Sequence, residues 1–486
     1  MAESKPAPEG KPQAQDETLA LATFFSNLSY NDLPPEVITH AKASILNALG
    51  CALGSANADP HRKAFAALVL EEDNNAAASI LGHSERTDIN TAAFLNGIAI
   101  TTADYDDTHL RTVIHPSGAA LAAILSCGES RRVSGQEVIL AFVTAVEVQC
   151  AVGNTISPSH YTDGWHITGT TGTFGAAAGI AKLLHLPPQQ FAAALGHAAS
   201  MASGIRAMFG TDTKTLHMGR GAQNGILAAT LARHDFSSCP APIEAWAHLV
   251  SSTVDSSLLS ERARGGLWQI LKNTFKPYPC GIVIHPLIDG CLKMYSFLHS
   301  DNQRDSCDVR VATKQEQQKI TVDNISSIRV VVNPQCVRLC NNRHPRSGLE
   351  TIFSLYHGCA VALLYGRAGP AEFSDSVAKD DPDVARIREL IVVETDEGIR
   401  DDEAMLYFKW NDNEDDVVVP EKAKVVHIEH ATGSLAKPMS KEQLERKFLE
   451  QAVRCLSGEQ ADIAVRACWE LDSCEDISEF VRLFTC

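Results

Sequence analysis

Apolar residues recur at three- and four-residue spacing through residues 18–271, and short breaks of Gly, Pro, Ser or Asn separate the successive runs. This spacing places the apolar side chains along one face of an α-helix. The pattern therefore predicts an all-helical region, whose clearest helices cover residues 91–102, 117–127, 135–152, 171–184, 188–202 and 221–232. The many alanines and glycines in these runs favour closely packed helices.

The pattern changes after Phe275, where Pro277 and Pro279 interrupt the chain and β-branched runs begin. We therefore expect a domain boundary there. The segments that follow predict a smaller α+β domain. The predicted strands are residues 325–332 and 424–430, and the predicted helices are residues 349–365 and 381–391.

The end of the chain returns to helical spacing. Ser440 is followed three residues later by Gln443, and apolar residues then recur at helical intervals. This arrangement is typical of a capping box that opens an amphipathic helix. The helix could pack back onto the first domain, although spacing alone leaves its docking site open.

Composition and charge narrow the classes of partner. The formal net charge is −17, from 42 Lys and Arg against 59 Asp and Glu, which argues against nucleic acid or an anionic membrane as partner. The sequence predicts no membrane span, because charged residues interrupt each apolar run before it reaches the length of a bilayer. Residues 1–17 are rich in Pro, Lys, Glu and Gln and are expected to form a disordered tail. Without a targeting signal in that tail, we expect a cytoplasmic protein.

The 14 cysteines are scattered and form no CxxC pair, so neither a zinc site nor a redox motif is indicated. In a reducing compartment most of them are expected to be ordinary buried thiols.

A first cluster of chemical groups covers residues 104–109 (DYDDTH) and 114–118 (IHPSG) and joins two predicted helices. Pro116 suits the first turn of a helix, so His115 is expected near a helix N-terminus. Histidine is the side chain best able to move a proton at neutral pH. A capped loop with solvated acids is an equally good interpretation of the spacing by itself.

Three further clusters carry a cation or an imidazole. Residues 164–169 (GWHITG) contain His166, but they lack the GK[ST] ending of a phosphate loop and follow no strand, so we exclude nucleotide binding there. Residues 213–219 (TKTLHMG) contain Lys214 and precede a helix that is expected to begin at Arg220. Lys214 could bind a substrate carboxylate, but it could equally be a solvated lysine in a polar loop.

The last cluster is KPYPCG at residues 276–281, which leads to His285 at the expected domain boundary. Clefts and ligand sites often form at such boundaries.

Together the four clusters resemble the MmgE/PrpD family, and the resemblance covers nearly the whole chain. Its most specific part is the DxDDTH…HPSG segment of residues 104–118. The other three clusters follow in the order and spacing of the family. The activities of that family include decarboxylation of cis-aconitate and dehydration of 2-methylcitrate.

The resemblance implies a mainly α fold and a homodimer with its active site between two domains. A large helical domain would contain residues 18–275 and 435–486, and a smaller α+β lid domain would contain residues 276–434. The implied substrate is a small polycarboxylate, and the family works without metal or other cofactor.

The resemblance also assigns site positions, residue by residue, to Asp104, Thr108, His115, His166, Lys214 and His285. We expect Lys214 and the imidazoles of His166 and His285 to bind substrate carboxylates. His115 would transfer a proton at carbon, while Asp104 and Thr108 orient the substrate or the imidazole.

One position departs from the family pattern, because the tyrosine of the animal decarboxylases falls near Cys340 in this chain. Cys340 and the Arg-His-Pro-Arg segment at 343–346 are candidates for tuning the pocket, since a thiol in place of a phenol widens it. The segment would equally suit a surface loop of the lid.

Several functions therefore remain open. The leading hypothesis is decarboxylation of cis-aconitate or a close analogue to an itaconate-like product. The alternatives are dehydration of 2-methylcitrate or a longer alkylcitrate, and epimerisation of a dicarboxylate by proton transfer. A metal site lacks the HExxH or paired-cysteine spacing that would support it. A catalytically inactive binding protein is a further alternative.

Overall fold

Two large hydrophobic cores and one small cluster around Phe65 and Phe94 organise the chain in the computed structural model, which describes residues 16–70, 76–299, 322–410 and 423–486. The first core runs from Leu21 to Phe275 and takes up a second stretch from Leu444 to Phe484. The second core lies between Cys280 and Ile428. The mainly α fold with a smaller α+β part is confirmed.

The first core is built almost entirely from helices. In chain order the elements are α1 Glu17–Asn27, α2 Pro35–Ser55, α3 Asp59–Phe65, β1 Ala78–Ser79, β2 Arg86–Thr87, α4 Ile89–Thr101, β3 Asp107–His109, α5 Ser117–Arg131, α6 Gly135–Ile156, α7 Ser159–Thr162, α8 Ile167–Leu183, α9 Pro188–Met201, α10 Asp212–Arg233, α11 Pro242–Val250 and β4 Asn273–Phe275. Helix α8 is buried along its whole length and packs against α6 and α10. Gly225 permits the close approach of α10, since a Cβ there would lie 2.3 Å from the Cβ of Ala176.

The second core combines helices with a sheet. Its elements are α12 His285–His299, β5 Ile325–Val332, α13 Pro334–Cys340, α14 Gly348–Thr351, α15 Leu355–Tyr365, α16 Asp375–Asp380, α17 Pro382–Leu390, β6 Ile391–Thr395, β7 Ala404–Trp410 and β8 Ala423–Ile428. The four strands follow the order β6-β5-β7-β8. Among the described strands of this sheet, only β5 and β6 pair in parallel, with Ile328 opposite Ile391. The chain between them forms α13 to α17, and α17 contacts β5.

Three C-terminal helices, α18 Lys441–Ala452, α19 Gly458–Trp469 and α20 Ile477–Arg482, pack on the first core. Helix α18 lies against α2, and α20 lies against α5. The predicted capping box is confirmed, because the Gln443 backbone N–H donates to Ser440 Oγ at 3.3 Å and the Ser440 N–H donates to Gln443 Oε1 at 2.8 Å.

The structure corrects several local predictions. The connection between α4 and α5 contains the short strand β3, which the sequence pattern did not predict. Helix α10 begins at Asp212 and not at Arg220, so Lys214 lies on a helix. The predicted helix 349–365 is broken into α14 and α15, and β6 and β7 were missed.

The sequence predicted no apolar run of membrane-spanning length, but helix α6 is long and apolar enough to cross a bilayer. Its most apolar window is 94% buried inside the protein, as expected for the central helix of a packed core. The proposed tail also needs adjustment: residues 1–15 lie outside the described ranges, while Asp16 caps α1 and Glu17 begins it.

Candidate active site

A short pair of strands sets up the candidate site. Strand β3 pairs antiparallel with β4, with Asp107 opposite Phe275 and Thr108 opposite Thr274. Asp104 lies in the preceding turn with φ +50°, a left-handed conformation that aspartate tolerates better than most residues. Because Lys276 follows β4 directly, this pairing places it beside Asp104.

The Asp104 carboxylate is shared by two buried lysines. Lys276 Nζ donates to Asp104 Oδ2 at 2.7 Å and to its backbone oxygen at 2.9 Å, while Lys214 Nζ donates to Oδ1. Burial opposes ionisation of Asp104, but the two ammonium groups hold its pKa well below the usual range. Burial likewise opposes the charge on Lys276, and Asp104 nevertheless raises the pKa of that lysine.

His115 lies two residues before α5 and is fixed by the backbone of β3. Its Nδ1 lies 2.7 Å from the Asp107 carbonyl oxygen and 3.2 Å from Thr108 Oγ1. A carbonyl only accepts, so we assign the proton to Nδ1, which leaves Nε2 for chemistry. Burial lowers the pKa of His115 and favours the neutral imidazole.

Two acids flank this histidine. Asp106 Oδ1 lies 3.8 Å from His115 Nδ1, and among the described residues neither oxygen of Asp106 has a hydrogen-bond partner. Asp107 instead caps the start of α5, where it accepts from Ser117 and from Asn273 Nδ2 at 2.5 Å. Burial raises the pKa of Asp107 to about 6.

A pair of imidazoles lies beside Lys214. The Nδ1 atoms of His166 and His217 are 2.8 Å apart, so one ring donates to the other. Phe209 packs edge-on against His166 with ring centroids 5.0 Å apart. Burial and the nearby Lys214 ammonium lower the pKa of His166 well below its usual value.

The part of the chain built around the second core contributes His285 and Cys340. His285 opens α12 and is buried, and burial together with Lys276 lowers its pKa to about 3. Its Nε2 has no hydrogen-bond partner in the part of the chain that the structure describes. Cys340 ends α13, and burial, reinforced by the charge of Asp104, raises the pKa of its thiol to about 12.

The predicted site residues thus come together from both cores, linked by contacts or by mutual electrostatic effects. Sequence reasoning missed Lys276 as a site residue, although it had singled out the KPYPCG segment. It also missed Lys447 on α18, whose Nζ donates to the Tyr105 and Lys276 carbonyl oxygens at 2.7 and 2.8 Å. A lysine between Leu444 and Gln451 on the buried stripe of an amphipathic helix was the available signal.

A cavity of about 290 Å³ lies next to this cluster. Phe209 and Phe353 line it and stack with centroids 5.7 Å apart. The same rings lie 6.0 and 5.9 Å from Lys214 Nζ. The cavity is therefore adjacent to the buried lysine.

The segment 343–346, which the sequence suggested as a candidate for shaping the pocket, makes other contacts in the structure. Arg343 donates to the carbonyl oxygens of Arg388 and Ile391, and Arg346 pairs with Glu350 at the surface. Neither arginine lines the cavity, whereas the neighbouring Arg338 and Asn342 do.

Asp104, Asp106 and His115 offer ligand atoms within 4.8 Å of one another, which raises the question of a metal ion. Both Asp104 oxygens already accept from lysines, and a cation bound there would lie beside two ammonium groups. These three groups are therefore poorly suited to hold a metal ion.

Comparison with known proteins finds similarity over most of the chain. Residues 19–254 match the family model of the MmgE/PrpD N-terminal domain, and residues 278–471 match that of the MmgE/PrpD C-terminal domain. Human cis-aconitate decarboxylase is 26% identical over 479 residues, which cover 96% of this chain and 94% of the human protein. The mouse cis-aconitate decarboxylase is 25% identical, with 96% and 93% covered. The cis-aconitate decarboxylase of Aspergillus terreus is 28% identical over 234 residues, which cover 47% of this chain and 48% of the fungal protein.

Proposed function

The chain belongs to the MmgE/PrpD family, and from this premise we propose that it is a carbon–carbon lyase that decarboxylates cis-aconitate or a close analogue. The observation that carries the proposal is the buried cluster in which Lys214 and Lys276 flank Asp104 next to His115. Such a cluster combines cations for carboxylates with one group that can transfer a proton.

Substrate binding would use the cations and the free imidazole nitrogens. Lys214 and Lys276 would hold carboxylates, because their ammonium groups are fixed by Asp104 and shielded from water. His285 Nε2 is buried and lacks a partner, so a ligand would satisfy it. His166 uses Nδ1 for His217, which leaves Nε2 to face the substrate.

The proposed reaction breaks the bond between the substrate methylene carbon and its carboxylate. Carbon dioxide leaves, and the electron pair forms a new terminal double bond while the original double bond shifts its electrons to the carbon next to a remaining carboxylate. The negative charge of the bound substrate would raise the pKa of His115 so that its Nε2 takes up a proton, and Nε2 then donates this proton to that carbon, which gives an itaconate-like product. The fixed ammonium groups would stabilise the charge that develops on the remaining carboxylate.

The test is incubation of the purified protein with cis-aconitate, 2-methylcitrate and a longer alkylcitrate, with and without EDTA, followed by mass spectrometry. We expect loss of carbon dioxide from cis-aconitate or an analogue, with or without EDTA. Loss of water would identify a dehydratase and contradict the proposal. Deuterium uptake from solvent without a change of composition would identify an epimerase.

A matched pair of variants tests the role of His115. In His115→Asn the amide can keep the hydrogen bond to the Asp107 carbonyl, and in His61→Asn it can keep the one that His61 makes with the Ala56 carbonyl at 2.8 Å. Both histidines are largely buried, but His61 lies on α3, outside the site. We expect His115→Asn to lower kcat by about 10²–10⁴-fold, the usual range for a proton-transfer group, and His61→Asn to retain activity. Equal activity of the two variants would refute the assignment.

A further inference from the structure

The cavity beside the buried cluster has a cationic lining. Arg206 and Phe209 line it from the helical side, and Arg338, Asn342 and Phe353 line it from the lid. Because the two phenylalanine rings also lie about 6 Å from Lys214 Nζ, they form a wall common to the cavity and the cluster. A ligand that reached past them would contact cations on both sides.

The guanidinium of Arg206 is held in place but only partly used. Its Nη1 donates to the Tyr161 carbonyl at 2.9 Å, and its Cζ lies 4.1 Å from the centroid of the Tyr161 ring. Its Nε is buried and has no hydrogen-bond partner among the described residues. A buried donor without a partner is costly, so an acceptor from a ligand would be stabilising there.

Arg338 lies on α13 and is exposed, and no ion pair within 4 Å joins it to a described residue. The positive charge of Arg338 favours the ionised form of Asp401 electrostatically, without an ion pair between the two side chains. The one carboxylate in the cavity lining, Glu350, already accepts from the backbone and side chain of Arg346 at 2.8 and 3.2 Å. Both cavity arginines are therefore available to an anion.

The charge of the buried cluster gives a reason for such a second position. With the imidazoles neutral, the formal charges of Lys214 and Lys276 are balanced by those of Asp104 and Asp106. A substrate with several carboxylates would bring uncompensated negative charge into this cluster. Additional cations within the reach of the same molecule would reduce that cost, and arginine binds carboxylates in a bidentate manner.

We propose that Arg206 and Arg338 form an outer carboxylate position in the cavity. It binds the distal carboxylate of a polycarboxylate whose reacting end lies at Lys214 and His115. This rests on the proposed function, since it assigns the reacting end to the buried cluster. An outer carboxylate position predicts that good substrates are elongated polycarboxylates and that short dicarboxylates are poor substrates.

The test measures binding of unreactive probes by isothermal titration calorimetry, so that it does not depend on turnover. Tricarballylate carries three carboxylates, and methylsuccinate lacks one of its terminal carboxylates. We expect wild-type protein to bind tricarballylate more tightly than methylsuccinate. Arg206→Met and Arg338→Met should each weaken tricarballylate binding by about tenfold and leave methylsuccinate binding unchanged.

Arg386→Met is the matched control, because it removes one positive charge from α17, outside the cavity, where Arg386 pairs with the exposed Asp323 and Asp383. Equal weakening of tricarballylate binding by all three variants would indicate a general electrostatic effect and overturn the proposal. So would the absence of any preference for tricarballylate in the wild type. If Arg206→Met fails to fold, the exposed Arg338 still provides the test.

The outcome is separable from that of the proposed function. Arginine-dependent binding of tricarballylate without turnover of any acid would leave the outer position standing and refute the decarboxylase. Turnover of cis-aconitate together with tricarballylate binding that does not depend on the two arginines would support the decarboxylase and refute the outer position.

Discussion

Replacement of Asp104 by asparagine should destabilise the protein more than any other single amide substitution in the site. Among the described residues, Asp104 is the one counterion that contacts both Lys214 and Lys276, and all three side chains are buried. Asparagine is the appropriate replacement because it tolerates the positive φ of this position, whereas alanine would add backbone strain. The substitution therefore removes charge with little other change.

Removing one partner of a buried ion pair costs about 3–5 kcal/mol, because the other charge is left uncompensated. We expect a loss of this size in the free energy of unfolding of Asp104→Asn at pH 7. Since the folded-state pKa of Asp104 is depressed, its stabilisation is present above the ordinary carboxyl pKa of about 3.9 and is lost as the pH falls through the folded value. The difference between wild type and variant should therefore shrink as the pH falls below about 4.

Urea unfolding followed by circular dichroism measures this difference. Asp289→Asn is the control: Asp289 is also buried, but it accepts from the Tyr278 hydroxyl and from Thr432, and its lysine contact, Lys437, is 52% exposed. Its loss should cost only about 1–3 kcal/mol.

A second substitution tests the origin of the effect. Adding Lys276→Met to Asp104→Asn should recover part of the lost stability, because it removes one of the two unpaired charges. A loss below about 1 kcal/mol in Asp104→Asn, or a double variant less stable than the single one, would refute the reasoning.

Three further predictions concern other buried charges. Burial lowers the pKa of His115, and the negative charge of a bound polycarboxylate should raise that pKa and cause proton uptake at pH 7. Calorimetry of tricarballylate binding in buffers of different ionisation enthalpy should show less proton uptake in His115→Asn than in the wild type. Equal proton uptake by the two proteins would contradict this prediction. Lys447→Met should lower both stability and kcat, because Lys447 holds the backbone next to Lys276, whereas Lys182→Met, which removes an ammonium from carbonyl oxygens near α1, should lower stability alone. Activity assays on folded protein decide this, and equal kcat values for the two variants would count against a positioning role. Burial raises the pKa of Glu147 to about 7, so its contribution to stability is complete below its unfolded pKa and is lost as the pH rises through 7. Urea unfolding from pH 5 to 8 should therefore show a decline that is smaller in Glu147→Gln by about 3 kcal/mol, and parallel curves would exclude this origin.

Local sequence determined much of the secondary structure. Strand β5 has the predicted bounds, and α6 and α18 begin where their capping signals stand, at Ser134 and Ser440. These elements are set by periodicity and by side chains that bond to their own backbone, which operate within a few residues. The motifs around His115 also pointed to the chemistry of the site through the family resemblance.

The start of α10 shows where local patterns fail. Gly219 and Gly221 looked like breaks before a helix, but they lie inside it. A Cβ on Gly219 would lie 2.6 Å from the Phe94 backbone oxygen of α4, so this glycine serves helix packing and not chain reversal. The partner that explains it is distant in sequence, and no local pattern contains it.

The same reason separates the predicted part of the site from the rest. The sequence determined which side chains with suitable chemistry the protein has, including Lys214, His166 and His285. Only the tertiary structure decided that Asp104 is shared by Lys276 and Lys214, which lie 172 and 110 residues further along the chain. It also decided that Lys447 on α18 donates to the Lys276 carbonyl oxygen. Charge pairing in a buried site depends on distances of a few ångströms between segments that only the packing of β3 on β4 and of α18 on α2 brings together.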